Sequence, residues 1–328
     1  MDAIRTEALT KHYPVGFWRP RAYVALDGLT LDVGQGEVFG FLGPNGAGKT
    51  TTLKLLMQLT FPTSGRAEIL GRPVGDVSVK RRTGYLPENP YFYDYLSAEE
   101  LLHYFASLFG YGAADRRRRV SDLLDEVGIG AERRLQLRKF SKGMLQRVGI
   151  AQAIINDPEV VFFDEPMSGL DPMGRREIRE LILRLRDRGC TVFFSSHVLS
   201  DAEALCSRVA IVASGRLAAT GELSEILAFK ALGWEVVMGG LDDAVLESAT
   251  ASGHIDRATA LGGRRYALHV PLSVAPDRLV AEFVSQGAEL VSVNPVRETL
   301  EEFYMRKIGA VSRDRGLADV GKAPASSE

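Results

Sequence analysis

Eight consecutive residues, Gly43-Pro44-Asn45-Gly46-Ala47-Gly48-Lys49-Thr50, constrain this chain more than any other stretch. They fit the spacing G-x-x-x-x-G-K-[ST], follow an apolar run (EVFGFL) and open a helical pattern (TTLKLLMQL). A turn of that kind between a strand and a helix gathers backbone N–H groups at the positive end of a helix dipole, which is what a triphosphate needs. Glycines let the backbone approach closely. Lys49 adds a point charge toward the β- and γ-phosphates, Thr51 continues the cradle, and the Thr50 hydroxyl is the expected Mg²⁺ ligand.

The surrounding pattern predicts an α/β fold, a P-loop NTPase with a mainly parallel sheet. The candidate strands EVFGFL, VVFFD, TVFFSS and RVAIVA are near-continuous apolar runs, as strands covered on both faces should be. After Pro172, Ile178, Leu181, Ile182 and Leu185 fall on one helical stripe. From about 94 to 155 the strand signals give way to a helical subdomain. There Ser97 and Glu100 fit a capping box, with Leu101, Leu102, Phe105, Leu108 and Phe109 expected on one face. The run Arg116 to Arg119 reads as a solvated face in preference to a functional basic patch. This first domain is expected over 1–222. A small α+β, ferredoxin-like domain with the order β-α-β-β-α-β is expected over 234–309, closed by a helix (TLEEFYMRKI). The polar stretch 310–328 is expected to be a disordered tail.

A triphosphate cradle needs a second element to hold the cation and prepare water. In VVFFDEP, Asp164 ends an apolar strand, where it can reach Mg²⁺ through water, and Glu165 beside it is placed to act as general base.

With these motifs in order, the chain resembles the nucleotide-binding subunits of ABC transporters over most of residues 1 to 220. Tyr13, in LTKHY, matches the aromatic that stacks on adenine in that family, with Tyr23 as a competing aromatic. Ser141-Lys142-Gly143-Met144 matches the signature loop, Ser168-Gly169-Leu170-Asp171 the D-loop, and His197 the switch histidine that senses the γ-phosphate. The resemblance implies ATP and Mg²⁺ as cofactors. It also implies a head-to-tail dimer in which ATP lies between the P-loop of one subunit and Ser141 and Gly143 of the other, with Asp171 nearby. Glu165, His197 and Lys49 would carry catalysis. The partners implied are a second ATP-binding subunit, in a homodimer, and a separate transmembrane permease subunit.

Three departures from the family pattern stand out. The usual L-S-G-G-Q is altered at Lys142 and Met144, while the serine and the later glycine remain. Glu88, in TGYLPENP, stands where the family usually has a glutamine that contacts Mg²⁺, and a carboxylate oxygen is also a hard-cation ligand. Both changes resemble exporter ATPases, so export is expected over import. An insertion after Tyr13 carries Phe17 and Trp18, expected to pack on their own domain rather than on the membrane partner.

Composition excludes several alternatives. A formal charge of -2 gives no sequence-wide basic field, so no nucleic-acid partner is expected. The two cysteines, Cys190 and Cys206, lack metal-type spacing and point to a reduced compartment. No signal-peptide core and no window near 18 consecutive apolar residues occurs, so the protein is expected in the cytoplasm, peripheral on the membrane through its partner. Two other readings compete: an ABC ATPase acting on a ribosome or nucleic-acid complex, and a regulatory module that no longer hydrolyses ATP. The chain carries one cassette and no long coiled-coil insertion, against the first; Glu165 and His197 argue against the second.

Overall fold

The computed structural model describes residues 2–16, 21–228, 231–297, 302, 303 and 305. Phe17, Trp18 and the 310–328 tail lie outside the described residues, as does most of the closing helical pattern from Thr299. The chain divides into two compact units, with one boundary between Leu223 and Ser224 and another between Tyr304 and Met305, which belongs with the first unit.

In the first unit the strands are β1 (Asp2–Val15), β2 (Arg21–Gly34), β3 (Val38–Leu42), β4 (Ser64–Ile69), β5 (Arg72–Pro73), β6 (Thr83–Leu86), β7 (Val160–Asp164), β8 (Thr191–Ser196), β9 (Arg208–Ala213) and β10 (Arg216–Glu222). The helices are α1 (Lys49–Leu56), α2 (Val77–Lys80), α3 (Ala98–Leu108), α4 (Ala113–Glu126), α5 (Lys142–Ala153), α6 (Pro172–Asp187) and α7 (Leu199–Leu205). A six-stranded sheet runs β10-β9-β3-β8-β7-β6, parallel throughout except for the antiparallel edge strand β10. A second, antiparallel sheet runs β2-β1-β4-β5. Its long β1–β2 ribbon was not legible as a unit in the sequence.

The parallel strands are apolar because both of their faces are covered. All five residues of β3 and of β7 are buried. Phe193 of β8 sits at the centre, with ring centroids 5.6, 5.3 and 5.8 Å from Phe39, Phe41 and Phe162. Rings at such separations add attraction to their area burial. Helix α6 buries Ile178, Leu181, Ile182 and Leu185, the stripe read from the sequence.

The helical subdomain departs from expectation in two places. The Ser97/Glu100 capping box is present, but α3 ends at Leu108 and buries Ala98, Leu101, Leu102 and Ala106. Leu108 and Phe109, the last residue of the helix and its C-cap, are exposed beyond the last buried position, Ala106. Nor is the arginine run solvated throughout. Arg119 donates to the carbonyls of Ile154 and Ile155 at 2.6 and 3.1 Å, at the C-terminal end of α5, where the Asp157 N–H also meets the Ile154 carbonyl.

Helix α8 (Leu223–Ala228) spans the boundary. The second unit contains β11 (Ala231–Gly239), α9 (Asp243–Ala251), β12 (Arg257–Gly262), β13 (Arg265–Pro271), α10 (Pro276–Ser285) and β14 (Glu289–Arg297). Its antiparallel sheet runs β12-β13-β11-β14, the ferredoxin-like order, over a core that includes Val236, Met238, Leu268, Val270 and Phe283.

Candidate nucleotide site

The phosphate turn bends between β3 and α1, and two of its glycines are obligatory. A Cβ on Gly43 would lie 2.6 Å from the Val212 carbonyl oxygen, and one on Gly48, at φ +105°, 2.5 Å from that of Ala25. Ala47 is buried and braces the turn, donating to the Pro44 carbonyl at 3.1 Å and accepting from the Gly215 N–H at 3.0 Å. Helix α1 begins with no side-chain cap and no acidic residue in its first turn, which leaves its opening N–H groups for an anion.

A cavity of about 250 Å³ opens over this turn. Pro44, Asn45, Gly46, Gly48, Lys49, Thr50 and Thr51 form its floor; Tyr23, Ala25, Glu88 and Glu165 complete its wall. Tyr23, the competing aromatic, is part of this lining, and Tyr13 is not. The two tyrosines are directly paired across β1 and β2, so Tyr13 stands one strand farther off, with the Lys11 ammonium 4.9 Å from its ring centre.

Inside the cavity, Lys49 is 6% exposed and donates to the Gly43 carbonyl at 2.8 Å and the Pro44 carbonyl at 3.3 Å. Its ammonium also lies 3.2 Å from Glu165 Oε1. The other oxygen of Glu165, Oε2, is 2.9 Å from His197 Nδ1. Glu165 reaches both through a left-handed backbone, φ +50°, a conformation that costs a side-chain-bearing residue about 1–3 kcal/mol and concentrates at functional sites.

Asp164 is almost fully buried. Burial pushes its carboxyl above the ordinary carboxylate range, opposed by the hydroxyls of Ser195 and Thr50. Ser195 is a residue that the motif reading missed. Its Oγ donates to Asp164 Oδ1 at 2.6 Å and accepts from the Glu165 N–H at 3.0 Å, fixing both carboxylate residues at once. The signal available was its place at the end of TVFFSS, in register with Asp164 on the neighbouring parallel strand. Among the described residues, the buried Asp164 Oδ2 meets no hydrogen-bond donor at bonding distance. A lone carboxylate oxygen near a threonine hydroxyl, with Glu88 on the cavity wall, is a donor set that fits a hard divalent cation.

Ser141, Gly143 and Asp171 are not brought to this cavity. They line a different one, of about 490 Å³, and no residue lines both. Ser141 caps α5 by accepting from the Met144 N–H at 3.3 Å, and Asp171 caps α6 by accepting from the Gly174 N–H at 2.7 Å. Lys142 lays its ammonium over Gly169, where any added Cβ would run into it.

The family description "ABC transporter" matches residues 26–168, the stretch holding the phosphate turn, Asp164 and Glu165. An ABC transporter ATP-binding protein of Synechocystis is 45% identical over 318 residues, 96% of this chain and 86% of its own. The chain belongs to the ABC transporter ATP-binding family. A fluoroquinolones export ATP-binding protein of Mycobacterium tuberculosis is 39% identical over 69% of this chain and 72% of its own. Among solved structures, a dimeric bacterial ABC transporter cassette superposes with a TM-score of 0.62 at 25% identity, covering 67% of this chain and 98% of that one. The ABC cassette is an ATP-binding enzyme, and this chain is an ATPase. No helix among the described residues is long and apolar enough to cross a membrane.

Proposed function

We propose that two copies of this chain close head to tail over two ATP molecules and that the closure drives a separate permease toward export. The observation that carries the reading is the division of the site. The phosphate turn and Glu165 line one cavity, with His197 in contact with Glu165, while Ser141, Gly143 and Asp171 border another. One chain therefore supplies the two halves on separate surfaces, and a second copy turned to face it unites them. The names carried by similar export proteins support the direction, and a chain whose described helices are too short or too polar to cross a bilayer would meet the membrane through such a partner.

In this reading the triphosphate draws the Lys49 ammonium away from Glu165, freeing the carboxylate to accept a proton from the attacking water. His197 holds the other carboxylate oxygen and orients the base. Thr50, Asp164 and Glu88 would hold Mg²⁺, which when bound neutralises phosphate charge. Tyr23, rather than Tyr13, would stack on the base of the nucleotide.

Glu165→Gln is expected to bind ATP yet lose turnover by at least about 100-fold, the contribution of a general base, and to accumulate as a nucleotide-bound dimer in sizing experiments. Hydrolysis at the parent rate would remove Glu165 from the mechanism. Lys49→Ala is expected to weaken ATP binding by about tenfold or more in nucleotide titration, since it removes the charge that meets the phosphates. Co-purification with a polytopic membrane protein tests the coupling itself.

A further inference from the structure

Asp201 is a buried carboxylate with no part in the phosphate cradle, the base or the cation site. It lies on α7, just beyond His197, and its side chain is 2% exposed. Two arginines on one face of α6 hold it. Arg179 Nη2 donates to Asp201 Oδ1 at 2.6 Å, and Arg175 Nη1 lies 3.8 Å from Oδ2. Arg175 has a second engagement: its Nε donates to the Leu170 carbonyl at 3.3 Å, the backbone of the turn that leads into Asp171. A single guanidinium thus spans from the turn bordering the second cavity to the helix that follows the switch histidine. The guanidinium meets these two acceptors from different nitrogens held in one rigid plane, whereas an ammonium presents all of its donors from a single nitrogen on a flexible stem. A buried carboxylate that lost these cations would be left uncompensated, so the helices on either side are held to one relative arrangement.

We propose that Asp201 and Arg175 form a positioning relay between the two half-sites of the chain, tying the Leu170–Asp171 turn to the helix behind His197. The inference rests on the two-copy reading above. In that assembly the two cavities of one chain belong to different ATP molecules, so a link within the chain makes the sites sense each other. A change at the γ-phosphate that moves His197 is passed through Asp201 and Arg175 to the turn facing the other nucleotide.

The test is the ATPase rate of the full-length chain against ATP concentration, for the parent, Arg175→Lys, Asp201→Asn and the double variant, with ATP affinity titrated for each. The parent is expected to hydrolyse cooperatively, with a Hill coefficient approaching about 2 for two sites. Arg175→Lys is expected to lower kcat about tenfold and bring the Hill coefficient to about 1, while ATP affinity stays within about twofold. The double variant is expected to be no slower than the slower single variant, because both changes cut one link. Arg175 is 29% exposed, so its lysine variant keeps the test available should Asp201→Asn fail to fold. Retained cooperativity in Arg175→Lys, or losses that multiply in the double variant, would overturn the relay alone. A parent that hydrolyses ATP without cooperativity would instead overturn the two-copy reading and the relay with it.

Discussion

Glu165 shows how much of this site is decided atom by atom. Its two oxygens are divided between the Lys49 ammonium and the His197 ring, and its N–H is held by Ser195. His197 is 44% exposed on its side chain, so removing the ring should disturb the Glu165 carboxylate and little else. His197→Ala is expected to slow turnover about 100-fold, in the range of a misoriented general base, with ATP affinity within about twofold by titration. The aromatic on the cavity wall gives a second comparison. Tyr23→Ala is expected to weaken ATP binding by about tenfold, the scale of a lost stacking contact, and Tyr13→Ala much less; equal losses would return Tyr13 to the site. The phosphate turn was legible because all its chemistry lies in eight adjacent residues. Ser195 and Asp201 were not, because each gains its partner from a strand or helix distant in sequence, and a serine or an aspartate alone carries no such signal.

At the level of elements, the parallel sheet was readable because double burial leaves runs without polar interruption. Phe193→Ala should leave a void among three neighbouring rings and cost about 3–5 kcal/mol in denaturant unfolding. Helix α3 shows where periodicity falls short: the pattern carried the apolar face on to Leu108 and Phe109, but a pattern of apolar residues does not say where the core stops. Its start was read from the cap chemistry. There Ser97 and its N–H hold the Glu100 carboxyl below its ordinary value of 4.5, so this cap is fully in force above that pH and is lost as pH falls through the lower folded value. Parent and Glu100→Gln are therefore expected to differ in unfolding midpoint at pH 7 and to converge on acidification. Ser97→Ala should cost about 1 kcal/mol at neutral pH.

For the whole molecule, the boundary at Leu223 separates the chemistry from the ferredoxin-like unit, since both cavities are lined from the first unit alone. Truncation after Leu223 is expected to leave ATP affinity within about twofold of the parent. The order of the second unit was visible in its alternating strand and helix signals, whereas its role has no constellation of residues to announce it. The separation of the two cavities also has a genetic corollary. If two copies close as proposed, a copy crippled at Lys49 and a copy crippled at Ser141 would each be useless with their own kind, but co-expressed they would pair to rebuild one sound compartment beside one doubly damaged one, and so rescue each other in trans.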